Sequence, residues 1–272
     1  MKEIFFLAGL QRSGATIISQ ILNQNPNVWV TPASPLFTMM KGVFESHTSP
    51  EYIDYQRPDA MAEVLHEMSQ AFYKDKSAQY IIDKNLNWPT PIGVEMIARY
   101  ISANIKIICP VRNILDILVS FDSIINAHPD SANNQIDKAV LTNTPANKPL
   151  ADRRADLLMQ EDKDIFACLH NMKYALVPEY RHLFHFVDYD DFITDPEKEI
   201  NKIYDFLEIP KYNHEFENIV DSSGISRESL TGIKDLHTIR PKVQKVSKRP
   251  QDVFLPETIK RYSGLEFWRE LR

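Results

Sequence analysis

Cysteine is scarce: Cys109 and Cys168 are the only two in 272 residues, and no C-x-x-C occurs. Two thiols in a chain this long exclude a disulfide-stapled scaffold. Long apolar runs are missing too. The N-terminal run Ile4–Ala8 is too short for a secretory signal and reaches Arg12 without a cleavage pattern. Nothing approaches the ~18 consecutive apolar residues needed to cross a bilayer. A basic excess is also absent, since the net charge is −6. That argues against a nucleic-acid coat or a general membrane-surface binder. The expectation is a soluble protein of the reducing cytoplasm, without nucleic-acid or membrane partners.

What is present suits a packed α/β protein. Apolar residues make up 43% of the chain, enough for a sizeable core. The length fits one large domain, and no repeat or long linker forces a boundary within 1–272. Charge is uneven: from Ile225 to Arg272, eleven Lys or Arg face six Asp or Glu, a local +5. The remainder therefore carries −11 by subtraction from −6, and the basic C-terminal segment could draw in an anion. On charge alone, a solvated basic face serves as well.

Strand and helix patterns alternate along the chain. Ile4–Ala8 reads as a strand buried on both faces. Gly9–Gly14 form a turn, and Ile17, Ile18, Ile21 and Leu22 then recur at helical spacing until Asn25-Pro26. Val28–Val30, Tyr80–Ile82, Ile105–Cys109 and Phe184–Tyr189 read as further strands. Thr90-Pro91 and Asp195-Pro196 read as helix starts. A helix is expected from Ile114 to Ala127, then a polar loop or lid over 128–150, then a long helix from Arg153 towards Val177. This order predicts a mostly parallel central sheet flanked by helices, in a P-loop-like α/β fold.

The segment Gly9-Leu10-Gln11-Arg12-Ser13-Gly14-Ala15-Thr16 lies between a buried strand and a helix start. The first N–H groups of a helix have no partners within it, and its dipole adds positive potential there. Glycines let an anion approach that backbone closely, so phosphate binding is the natural use. Against the nucleotide-hydrolase pattern G-x-x-x-x-G-K-[ST], the glycines and Thr16 fit, but Ala15 stands where the lysine belongs. That lysine normally reaches the terminal phosphates of a triphosphate. Its absence argues against an ATPase or GTPase, while Arg12 and Ser13 offer other donors.

A second segment, Cys109-Pro110-Val111-Arg112-Asn113-Ile114, again leaves a buried strand and enters a helix. It places Arg112 at the carboxyl edge of the sheet, where open α/β folds bind ligands. Ser120, two helical turns beyond Asn113, could converge on the same anion. Two anion sites on one sheet suit a nucleotide phosphorylated at both ends.

These motifs resemble those of the sulfotransferases that use 3′-phosphoadenosine 5′-phosphosulfate (PAPS) and release PAP. The layout is nearest to tyrosylprotein and bacterial-type members. Phe6–Thr16 is similar to the family's 5′-phosphosulfate loop, usually Pro-Arg-Ser-Gly-Thr-Thr; Gln11 replaces the proline and Ala15 the first hydroxyl residue. The spacing from Arg112 to Ser120 matches the family's 3′-phosphate pair. The resemblance implies cofactor contacts from Gln11, Arg12, Ser13, Gly14, Ala15, Thr16, Arg112 and Ser120. It extends to Tyr189 as a tyrosine near the adenine, and to Arg240, Ser247 and Lys248 in a late loop that closes over the nucleotide. It implies no metal, so Asp188, Asp190 and Asp191 read as strand-end solvation and helix entry. Arg12 and Lys84 are the candidate catalytic cations, Lys84 because it follows a strand as a lysine of the tyrosylprotein enzymes does.

The acceptor must carry a hydroxyl and must lose a proton, which requires a base. Ala33 stands where the tyrosylprotein enzymes carry a Glu, and Glu45, His47 and His128 have no motif to support them. Trp29, Phe37, Tyr52, Tyr55 and Trp88 could line an acceptor pocket or belong to the core. A P-loop small-molecule kinase and a non-catalytic nucleotide-binding relative stay open beside the sulfotransferase.

Overall fold

The structure, a computed structural model, describes residues 2–128, 135–144, 146–220, 243 and 248–271. Five strands form one sheet in the order β2-β3-β1-β4-β5: β1 Glu3–Leu7, β2 Val28–Val30, β3 Tyr80–Lys84, β4 Ile107–Val111 and β5 Phe184–Asp188. Every pairing is parallel. Parallel strands need covered faces, and the side chains of β1 divide accordingly. Ile4 and Phe6 enter one core with Ile81, Ile107, Cys109 and Trp88, whereas Phe5 and Leu7 enter another with Ile82, Ile108, Ile18 and Ile21.

Helix α1, Ala15–Leu22, follows β1; α2, Leu36–His47, and α3, Pro58–Phe72, lie between β2 and β3. Helix α4, Pro91–Met96, starts at Thr90, whose side chain accepts from the Gly93 N–H, and runs into a π-helical turn at Ile97–Ile101. Helix α5, Ile114–Ala127, leaves β4.

The stretch expected to be a loop over 128–150 contains helix α6, Gln135–Asn143. Its local sequence is polar, and long-range ion pairing accompanies it. Arg154, with a nearly sealed side chain, donates to Asp137 at 2.6 Å and to Asp122 of α5 at 2.7 Å. Removing one partner of such a buried network typically costs about 3–5 kcal/mol. The expected long helix to Val177 is instead α7, Leu150–Leu158, then α8, Asp164–Met172, and a 3-10 turn at Lys173–Leu176. The polar run Gln160–Lys163 breaks the apolar periodicity between them.

The last strand stops one residue earlier than expected. Asp188 accepts from the Asp190 N–H and caps α9, Tyr189–Thr194, so Tyr189 opens a helix. Asp188 is also only 2% exposed, so it is paired inside the protein and not solvated. Helix α10, Pro196–Leu207, packs Ile200, Ile203, Tyr204 and Leu207 under the sheet, with Asp195 as its cap. No helix among the described residues is long and apolar enough to cross a membrane. Both cysteines are free and buried, and burial pushes their thiols well above the usual range, Cys168 to about 12. They are therefore inert packing groups.

His185 on β5 gives the fold an acid sensitivity. Its ring stacks on Phe206 with centroids 5.2 Å apart. Its Nε2 is buried and has no hydrogen-bond partner among the described residues. Burial, and secondarily the charge of Lys202, lower the imidazole pKa to about 4. An unfolded chain titrates this group near 6.5, so between those pH values the unfolded state binds more protons. Stability from this residue is complete above about pH 6.5 and is lost as pH falls towards 4. The difference converts to at most about 3 kcal/mol, and partial exposure reduces that to about 1–2 kcal/mol. Urea unfolding at pH 7 and pH 4.5 should show His185→Phe losing less stability on acidification than the parent; equal losses would refute this assignment.

Candidate active site

The strand order creates the site. From β1 the chain moves outward to β2, returns through β3, and then crosses to the far side of β1 to place β4. Ligands of open α/β sheets bind at such a switch point, beyond the carboxyl ends of the strands. The segments that leave β1, β3 and β4 there carry Arg12, Lys84 and Arg112. Leu7 is level with Lys84 on one side and with Ile108 on the other.

The loop after β1 stays against β4 before it turns. Ala8 N–H donates to Ile108 O, and Leu10 N–H to Pro110 O, both at 2.9 Å. A Cβ on Gly9 would lie 2.1 Å from the Pro110 carbonyl oxygen, so only glycine fits. Ser13 is fully buried and its hydroxyl donates to Leu10 O at 2.5 Å. This side chain therefore staples the loop, and any contribution of Ser13 to an anion falls to its backbone N–H.

Gly14 begins α1 in the left-handed region (φ 87°), and a Cβ there would meet the Tyr189 ring at 2.8 Å. With glycine at the cap and no acidic residue in the first turn, no side chain caps the positive end of α1. Ala15 and Thr16 lie in that turn.

Arg12 is also left-handed (φ 60°), which costs a non-glycine residue about 1–2 kcal/mol. Two contacts from the second motif accompany this conformation. Arg112 Nη1 donates to the Arg12 carbonyl at 3.2 Å, and Arg12 Nε donates to Ser120 Oγ at 3.1 Å. Arg112 is 5% exposed, and its guanidinium lies over the Tyr189 ring, 4.4 Å from the centroid. A cation so placed gains from the electron-rich ring face. Residues predicted from two separate motifs, Arg12, Gly14, Arg112 and Ser120, thus form one cluster with Tyr189 from a third segment. Arg12 reaches the second motif, its side chain on Ser120 and its carbonyl on Arg112.

Lys84 ends β3 level with Leu7, the last residue of β1, and is half-buried. Its N–H donates to Thr31 Oγ1 at 2.7 Å, and its carbonyl accepts from the Ser34 N–H at 3.0 Å. Behind it lies a group that sequence patterns missed. Asp83, fully buried, accepts from Ser34 Oγ at 2.5 Å, from Trp88 Nε1 at 2.6 Å and from the Tyr73 hydroxyl. Burial raises its carboxyl pKa above the usual range, while those donors pull it back. The network ties the loop after β2 and helix α3 to the end of β3. A charged residue closing the apolar run Tyr80–Ile82 was the only sequence signal for it.

Gln11, in the place of the family's proline, donates through Nε2 to Asp164 of α8 at 2.8 Å. Ala33 is exposed on the loop after β2 and offers no carboxylate. Glu45 pairs with Lys41, and His47 Nε2 accepts from the Arg57 N–H, both at the distal end of α2. His128 caps the end of α5. Of the aromatic candidates, Trp88 and Phe37 are core, Trp29 packs against Tyr73, and Tyr52 and Tyr55 are exposed. Lys248 is exposed beside the 3-10 turn Pro250–Asp252, while Arg240 and Ser247 lie outside the described residues. No cluster of His, Cys, Asp or Glu suited to a metal occurs among the described residues.

An all-parallel sheet flanked by helices, with a glycine-capped turn between β1 and α1, defines a P-loop-like α/β protein. The sulfotransferase domain profile matches residues 2–250, so the chain belongs to the sulfotransferase domain family. The chemistry of this family is transfer of a sulfuryl group, and the protein is a transferase.

Solved structures of similar fold include the sulfotransferase domain from the curacin biosynthetic pathway. It is 15% identical with a TM-score of 0.51, covering 97% of this chain and 98% of that one. The sulfotransferase domain of the Synechococcus PCC 7002 olefin synthase is 14% identical with a TM-score of 0.51, covering 99% and 94%. A mouse sulfotransferase, SULT7A1, crystallised with PAP, is 17% identical with a TM-score of 0.48, covering 100% and 84%. No curated protein sequence matches this chain.

Proposed function

We propose that the protein takes the sulfuryl group from PAPS, transfers it to a hydroxyl-bearing acceptor and releases PAP. The observation that carries this reading is the pair of contacts joining the two motifs, Arg12 Nε to Ser120 Oγ and Arg112 Nη1 to Arg12 O. They bring the turn after β1 and the Arg112–Ser120 motif into contact, which supports reading them as parts of one site for a nucleotide phosphorylated at two positions.

In this reading the turn Gln11–Thr16 cradles the 5′-phosphosulfate with backbone N–H groups at the start of α1. Arg112 and Ser120 take the 3′-phosphate, and Tyr189 lies beside the adenine. Arg240, Ser247 and Lys248 are further nucleotide contacts in this reading. The acceptor oxygen attacks sulfur as the bond from sulfur to the bridging phosphate oxygen breaks, and the acceptor proton leaves. Negative charge grows on the departing PAP phosphate. Arg12 and Lys84 are the cations at the switch point that can stabilise it, and positioning with charge stabilisation supplies most of the catalysis. Nothing in this chemistry calls for a metal. A single domain working in the cytoplasm fits the free, buried cysteines.

Thermal denaturation with PAP, ATP or GTP tests the nucleotide preference. A ligand at 100 times its dissociation constant adds about 2.7 kcal/mol of stability. PAP should raise the melting temperature and ATP should do so much less; a preference for ATP with Mg²⁺ would overturn the assignment in favour of a kinase. Labelled PAPS with a panel of alcohol, phenol, sugar and peptide acceptors then separates an active enzyme from a relative that only binds.

A further inference from the structure

Helices α1 and α5 both start at the carboxyl edge of the sheet, but their ends are treated differently. The α1 terminus has glycine at its cap, whereas the protein's own groups fill the α5 terminus. Asn113 Oδ1 accepts from the Asp116 N–H at 3.2 Å. The first N–H of α5, that of Ile114, donates at 3.1 Å to Glu266 Oε1, a carboxylate 152 residues further on.

Glu266 belongs to the C-terminal segment Leu265–Leu271, whose second set of contacts is on β5. Trp268 is fully buried, and its Nε1 donates to Asp188 Oδ2 at 3.4 Å. Arg269 Nε donates to the same oxygen at 3.2 Å, and its Nη2 lies 3.5 Å from Asp190 Oδ2. Phe267 packs edge-on against Phe186, and Leu271 O accepts from Arg181.

The segment therefore grips two adjacent turns at once. Val111, just before Arg112, is level with Asp188, just before Tyr189. Glu266 holds the first turn through Ile114, and Arg269 with Trp268 holds the second through Asp188. Between the two lies the Arg112–Tyr189 stack at 4.4 Å. The sulfotransferase profile ends at residue 250, so Glu266, Trp268 and Arg269 lie beyond the matched span while their partners lie within it.

We infer that Glu266 and Arg269 are positioning residues of the nucleotide site, fixing the separation of Arg112 and Tyr189 so that PAP meets a preformed clamp. This rests on the nucleotide reading above. The charge of Glu266 serves here as a tether at the α5 terminus, which leaves the phosphate to the side chains of Arg112 and Ser120.

Calorimetric titration of the full chain with PAP tests the inference. Glu266→Ala should weaken PAP affinity by about fivefold or more. Glu266→Gln keeps an acceptor for the Ile114 N–H and should retain most of the affinity. Arg269→Met should weaken binding in the same way as Glu266→Ala, with each variant shown by circular dichroism to be folded at the assay temperature. The decisive comparison repeats Glu266→Ala in an Arg112→Ala background, where its effect should vanish because it acts through Arg112. An unchanged affinity in Glu266→Ala, or an equal loss in both backgrounds, would overturn the positioning role. If the parent chain binds no PAP, the nucleotide reading itself fails and this inference falls with it.

Discussion

Replacing Arg112 with alanine should weaken PAP binding at least tenfold. Its guanidinium is nearly sealed from solvent, over Tyr189 and bonded to the Arg12 carbonyl. A hydrogen bond to a charged group is worth about 1.5–3 kcal/mol, and the low dielectric of a buried site keeps it near the upper end. The substitution removes the proposed ligand contact and also a contact to the strained backbone of Arg12, so the turn after β1 should loosen with it. Arg112→Lys keeps a charge but not the planar fork, and should recover only part of the loss. Titration of PAP into folded variants measures this directly. Affinity unchanged in Arg112→Ala would remove the second motif from the site.

Lys84→Ala should do the opposite: PAP affinity close to the parent's, with turnover falling about 10²–10³-fold. That range is typical when one group stabilising transition-state charge is removed. The backbone around Lys84 is held by Thr31, Ser34 and the pairing with Leu7, and none of these uses the ammonium group. The substitution should therefore leave the strand end where it is. Single-turnover transfer of labelled sulfate, run beside PAP titration, separates binding from chemistry. Normal transfer by the variant would leave Lys84 with a structural role only.

Most of the fold could be read from local patterns. The runs beginning at Ile4, Val28, Tyr80, Ile105 and Phe184 became the five strands of a parallel sheet. Helix α6 could not be read so, because its Asp137 meets its ion-pair partner Arg154, which Asp122 of α5 also holds, only after α5 and α7 have packed. The burial of Asp188 had the same kind of cause. Asp188 reads as a solvated strand end until Trp268 and Arg269 arrive from the far end of the chain. Ser13 shows the limit at a single residue: the motif names the hydroxyl, but only the folded loop turns it inward to Leu10.

The sequence by itself determined the two short motifs, because a turn from a buried strand into a helix needs particular glycines, caps and charges within a dozen residues. Such local demands are written locally. The tertiary structure alone decided that Arg12 would reach Ser120, that Asp83 would gather Ser34, Tyr73 and Trp88 behind Lys84, and that Glu266 would hold the start of α5. Each of those contacts joins residues whose spacing along the chain carries no period, so only the packing of the sheet could bring them together.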